Sequence, residues 1–242
     1  VRAILVLAIT SAAATVVGLW QIRDHLTTHV IRRAWRTAIA DNWRMGKWLT
    51  ASALVSLLSN QLYPIFTAGF VSVAATGALR ATQTVLRPAQ VLLTALDTSM
   101  ISRMAAAYEN GGPRTLRLLT LQIYLSSFPI VATYYLILAA FSQPILSLLI
   151  GESYAGYGWL LAATSLTQLL MYLGTPVGTA LRAMKLTAPV FKAYVISVAT
   201  TLTVGVAAVA TMDLVGAVVG MTIHLLIMNA VLWRNYLNAT RT

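Results

Sequence analysis

Residues 78–97 read ALRATQTVLRPAQVLLTALD, a run long enough to cross a lipid bilayer that nevertheless carries Arg80, Arg87 and Asp97. A helix needs about 20 predominantly apolar residues to cross ~30 Å of hydrocarbon. Thr76, Arg80, Gln83, Arg87, Gln90, Thr94 and Asp97 follow one another at alternating steps of four and three residues. That spacing sets them on one helix face, with a drift of only ~20° per seven residues. The remaining surface is Ala, Leu, Val and Thr. At ~1.5 Å rise per residue, Arg80 and Arg87 lie ~10.5 Å apart and Asp97 ~15 Å beyond Arg87. Arg87 is expected near mid-membrane, Arg80 toward the outer side and Asp97 toward the cytoplasmic side. A charge facing lipid at such depth costs from ~2.5 kcal/mol upward, so the stripe is expected to face inward.

The rest of the chain fits that setting. Of 242 residues, 58% are hydrophobic and only 10% charged, with a mean hydropathy of +0.76. An ordinary soluble domain carries roughly a quarter charged residues, so these values indicate an all-α, polytopic transmembrane helix bundle. There is no cysteine, which excludes disulfides, thiolate nucleophiles and cysteine-based metal sites. No HExxH, P-loop, GxGxxG or GxSxG pattern occurs, so the common signatures of hydrolase and nucleotide chemistry are missing. The chain is expected to be no enzyme and to use no cofactor or metal.

Apolar runs between polar clusters predict seven spans, at about 3–20, 48–70, 75–102, 116–141, 158–175, 188–211 and 214–233. The domain organisation expected from them is a helix over 1–20, a basic cytoplasmic linker over 21–47, a six-helix bundle over 48–233 and a tail over 234–242. The linker is expected to be an amphipathic loop lying at the membrane interface. Basic residues in the linker, in turns 103–117 and 176–192 and in the tail fall on one side of the membrane, and they make up 14 of the 17. The positive-inside rule makes that side, and the C-terminus, cytoplasmic. Loop charge thus accounts for the net charge of +11 without any nucleic-acid partner. Arg80 and Arg87 are the basic residues that lie inside a span.

Two readings of the stripe remain open. Its polar groups can satisfy one another and neighbouring backbone as interhelical contacts, or they can line a cationic, water-filled path for an anionic substrate. Two arginines against one distant carboxylate favour the path. Further polar faces are available: Ser52, Ser56, Asn60, Tyr63 and Thr67 on the second span, Gln122, Ser126 and Thr133 on the fourth, and Ser165, Gln168, Tyr172 and Thr175 on the fifth. Pro64, Pro88, Pro129 and Pro176 are candidate kinks. The pairs Gly174/Gly178 and Gly216/Gly220 permit close helix approach. His224 is a candidate proton carrier or a hydrogen-bonded packing residue.

The stretch from GKWLTASALVSLLSNQLYPIF through ALRATQTVLRPAQVLLTALDTSMISRMAAAYENGG resembles the seventh and eighth helices of polysaccharide flippases in the multidrug/oligosaccharidyl-lipid/polysaccharide exporter superfamily. SQPILSLLIGESYAGYGWLLA resembles the outer loop entering their tenth helix, GTALRAMKLTAPVF the next cytoplasmic turn, and LVGAVVGMTIHLLIMNAVLWRNYL their last common helix. The resemblance implies a C-terminal half, from sixth to twelfth helix, of a transporter with 12 or 14 spans in two bundles. It implies a bacterial inner-membrane protein that moves a polyprenyl-diphosphate-linked oligosaccharide from cytoplasmic to outer leaflet by alternating access, for cell-surface polysaccharide export. Partners would be that glycan, membrane lipids and the N-terminal bundle of the same parent chain. Substrate-binding residues would be Arg80, Arg87, Gln83, Gln90, Asn60 and Tyr63, with Asp97 and His224 as candidates for ion coupling. The alternatives are a drug or cation antiporter of the same superfamily using Asp97, and a seven-helix receptor. A retinal Schiff base in such a receptor needs a lysine inside the last helix, whereas Lys47, Lys185 and Lys192 lie at span ends or in loops.

Overall fold

The computed structural model describes residues 11–13, 15–18, 20 and 32–241. Most of the expected first span, and residues 21–31 of the expected linker, lie outside the described residues. The chain divides into two units, Val1–Arg44 and Met45–Thr242, and what the first unit describes is helical. Residues 32–47, expected as an interfacial loop, are helical too and belong to α1, Arg32–Phe70. This segment is rich in Ala and Arg, both good helix formers, and holds no proline.

Helix after helix follows in the second unit: α2 (Val73–Ala140), α3 (Ser142–Leu149), a 3₁₀ turn (Glu152–Tyr157), α4 (Gly158–Ala183), α5 (Thr187–Thr200), a π turn (Thr201–Gly205) and α6 (Val206–Thr240). Helix satisfies every backbone amide internally, as hydrocarbon requires. Among the described residues three stretches, Val73–Ala140, Glu152–Ala183 and Thr187–Thr240, are long and apolar enough to cross a membrane, with mean hydropathies of 1.6, 1.3 and 2.0. In the most apolar part of α2 only 17% of residues are buried. Val91, Leu118, Leu125 and Ile130 all point outward. Apolar surface on that scale marks a face that meets lipid or another protein, and with the three long apolar helices it gives the chain the features of a membrane protein.

A straight helix of 68 residues would run for ~100 Å, about three times the hydrocarbon thickness. α2 instead turns at Gly112, whose φ of 66° lies in the left-handed region that glycine enters without a Cβ penalty. Pro113 then opens the second arm, at the position where a missing N–H costs nothing. The arms fold back on each other. Met104 shares one core cluster with Leu116 and Ile123, while Ala81, Val85 and Leu86 share another with Val131, Tyr135 and Leu138. α6 turns in the same way at Asp213, φ 54°. Across that turn a methyl group added to Gly220 would come within 3.0 Å of the Gly205 Cα, and one on Gly216 would collide with the Ala208 carbonyl. The close approach expected of Gly216 and Gly220 is therefore present.

Two expected turns are shorter than their polar composition suggests. Residues 103–111 continue the first arm of α2, and residues 176–183 continue α4, leaving only 184–186 as a turn, with Lys185 at φ 61°. Pro64, Pro88, Pro129 and Pro176 all lie inside helices without taking their neighbours out of helical torsions.

Replacing Gly216 by Ala should lower the thermal unfolding midpoint in detergent by several degrees, as overpacking of ~1–3 kcal/mol implies. Gly178→Ala should not, since nothing lies within 4 Å of its added methyl. Equal midpoints would contradict the packing.

Candidate functional site

The first arm of α2 buries one face and opens the other. Ala78, Leu79, Ala81, Val85, Leu86 and Ala89 are packed into the core. On the opposite side Arg80, Gln83, Arg87, Gln90, Thr94 and Asp97 line a cavity of about 510 Å³. Thr76, the first residue of the stripe, stays outside and donates to the Ser72 carbonyl at 3.0 Å. Facing this wall is α4, which contributes Thr164, Gln168, Met171, Thr175, Gly178 and Arg182. Those six again alternate steps of four and three, so α4 turns one face to the same space, with Thr164, Gln168, Thr175 and Arg182 as its polar groups. Tyr63 and Gln61 of α1, Tyr194 of α5 and His224 of α6 add further polar groups to the lining.

Asp97 is the carboxylate of this lining, and its charged partner stands on α4 rather than on its own helix. Arg182 Nη2 donates to Asp97 Oδ2 at 2.9 Å and to Thr179 Oγ1 at 3.1 Å, and the Thr179 hydroxyl also donates to Asp97. Arg80 is held differently: its Nη2 donates to the Gln61 side-chain carbonyl, a neutral partner that leaves its charge in place. Arg87 makes no hydrogen bond or ion pair among the described residues. Three guanidinium groups and one carboxylate thus line the cavity, and the carboxylate is taken by the guanidinium across from it. Arg80 and Arg87 are left as uncompensated positive charge.

Toward the other end of the cavity, Tyr63 and His224 stack with centroids 5.7 Å apart. His224 Nδ1 lies 3.2 Å from the Gly220 carbonyl and 3.3 Å from the Tyr63 hydroxyl. A carbonyl only accepts, so this contact places the ring proton on Nδ1. His224 is thereby both tied into the packing and exposed to the lumen.

Of the residues expected at the site, Arg80, Gln83, Arg87, Gln90, Tyr63, Asp97 and His224 come together around this one cavity. The Asn60 side chain lies outside the described residues. Gln168, Tyr172 and Thr175 line the cavity as expected, whereas Gln122, Ser126 and Thr133 do not. Ser126 donates to the Ile123 carbonyl at 3.1 Å, and Ser52, Thr67 and Ser165 likewise bond carbonyls of their own helix four residues back. Hydroxyl groups satisfied in that way need no lumen. Arg182 was expected in a turn rather than at the site. Its signal is legible, since Gln168, Thr175 and Arg182 repeat at seven residues.

No protein-family model, curated protein or solved structure matches the chain. The chemistry must therefore be read from the cavity. Guanidinium groups flanked by amides and hydroxyls bind anions through charge-assisted, often bidentate hydrogen bonds. They make and break no covalent bond by themselves.

The absence of native cysteine permits a direct test of the lining. Cysteines replacing Gln83 or Thr94 should react with a hydrophilic thiol reagent, and cysteines replacing Val91 or Leu92 should react at least about tenfold more slowly, because a thiolate needs water. Equal rates at the four positions would contradict a wet face on α2.

Proposed function

We propose that this chain transports a polyprenyl-diphosphate-linked oligosaccharide from the cytoplasmic to the outer leaflet of a bacterial inner membrane. The observation that carries the reading is Arg87, a guanidinium with no counter-charge among the described residues, beside Arg80, Gln83 and Gln90 in a cavity of an apolar helical chain. Such a charge is stable only against water or an anion. A diphosphate supplies several acceptor oxygens and more than one negative charge, which suits the planar guanidinium fork. The amides of Gln83, Gln90 and Gln168 and the hydroxyls of Thr164 and Thr175 offer both donors and acceptors to sugar hydroxyls.

In this reading residues 48–233 form six membrane spans, a seventh lies at 1–20, and the C-terminus is cytoplasmic, following the distribution of basic residues. The bundle works with a second bundle of the same carrier, which supplies the facing wall. The two rock about the central site to expose it alternately, as carriers built of two repeats do. The motif resemblance to polysaccharide flippases supports the same substrate class. A cation antiporter would need a carboxylate free for a cation, whereas Asp97 is occupied by Arg182 and Thr179.

In cells whose polysaccharide export depends on the full-length protein, Arg87→Ala should reduce export by about 10- to 100-fold at unchanged protein level, the loss of one hydrogen bond to a charged group. Arg80→Ala should act in the same direction. Normal export at normal protein level would refute both assignments. Asp97-dependent export of cationic dyes would establish the antiporter instead.

A further inference from the structure

The ion pair between α2 and α4 has a feature that a purely structural clamp would not need. A guanidinium offers five N–H donors in a planar fork, and a carboxylate is gripped best by two of them in parallel. Arg182 instead uses the single atom Nη2 for both Asp97 and Thr179, while its Nε is buried with no partner. Most of the fork is unused. The pair is also reachable, with side chains 29% and 24% exposed on the cavity wall. It stands at the end of the cavity beside the 184–186 turn, whereas Tyr63 and His224 stand toward the end where α1 and α6 turn.

We infer that Arg182 is a third anion-binding residue of the cavity, masked by Asp97 when the cavity is empty and handed over to a phosphate group when substrate arrives. This rests on the proposed reading of the cavity as a diphosphate site. On the cytoplasmic assignment of the 184–186 turn, Arg182 meets the ligand before Arg87 and Arg80 do. A phosphate competes well for it, since it carries at least as much charge as the carboxylate and offers three oxygens to the unused N–H groups. Asp97 plays a second part while paired. A bare carboxylate at this end would repel an approaching anion, and the Arg182 contact cancels that charge. After the exchange the Thr179 hydroxyl still donates to Asp97. The exchange removes the ion pair joining α2 to α4, so arrival of the anion loosens the contact between the two walls of the cavity.

The proposal predicts a gain of function from removing a charge. In full-length protein in phosphatidylcholine nanodiscs, titrated with inorganic pyrophosphate, Asp97→Asn should tighten binding about tenfold by releasing the guanidinium. Adding Arg182→Gln to that variant should abolish the gain. If Asp97→Asn fails to fold, Thr179→Ala serves instead, with a smaller gain in the same direction. Unchanged or weaker binding in a folded Asp97→Asn protein, or a gain that survives Arg182→Gln, would overturn the role of Arg182. A gain that disappears when phosphatidylglycerol replaces part of the lipid, with that lipid enriched around the variant, would assign the site to a phospholipid headgroup and overturn the substrate role. Arg87→Gln separates the two levels of the claim. Wild-type pyrophosphate affinity in that variant would refute the diphosphate cavity itself, while lost affinity there with no gain in Asp97→Asn would refute only the masked residue.

Discussion

A guanidinium in so apolar a chain must meet a partner, an anion or water, and among the described residues Arg87 has no hydrogen-bonding or charged partner. The surrounding wall of the cavity is arranged around that constraint. Small residues on the buried face of α2, among them Ala78, Ala81 and Ala89, let the helix pack closely on one side so that its charged side confronts open space. Gln61 answers Arg80 with a neutral carbonyl, and Arg182 answers Asp97 with the matching charge. Each of these contacts removes a polar group from need without removing the positive excess. What is left over is the charge at Arg87.

Packing and site meet again at Tyr63. Its hydroxyl lies where a methyl group on either Gly205 or Gly220 would come within 2.9 Å, so the two glycines leave the room its ring occupies. The same two glycines let the helical arms on either side of the Asp213 turn approach closely, and a π turn at Thr201–Gly205 sits on one side of the contact. Single π turns inside helices accompany functional sites more often than chance. Through the stacked His224 ring this junction reaches the cavity. A change in how α5 and α6 pack would therefore be felt at the lumen.

Much of this was legible in the sequence, for a simple reason. Helical spacing states which residues share a face, and inward orientation follows from the cost of charge in lipid, so the Arg80–Asp97 stripe could be read directly. Spacing along one helix does not state what stands opposite, so the sequence shows Asp97 as a distant carboxylate and candidate for ion coupling but not its pairing with Arg182. Arg182 is hidden in the sequence by Pro176, which reads as the end of the fifth span, although a proline inside a membrane helix is tolerated where its freed carbonyl finds other contacts and the helix runs on to Ala183. Extending that helix by two turns would have exposed the Gln168, Thr175, Arg182 repeat. Gln122, Ser126 and Thr133 do not line the cavity. A hydroxyl such as that of Ser126 is satisfied within its own helix, so a polar face on a helix is weaker testimony for a lumen than a charged one.

The most direct test of the central claim is leaflet exchange in proteoliposomes that contain the full-length protein and a fluorescent polyprenyl-diphosphate-linked sugar. Wild-type protein should carry the probe across, should fail to carry the same sugar on a neutral polyprenyl linkage, and should lose transport on Arg87→Ala. Equal exchange of the charged and neutral probes, or full transport by the Arg87→Ala protein, would contradict a cavity built to hold a diphosphate.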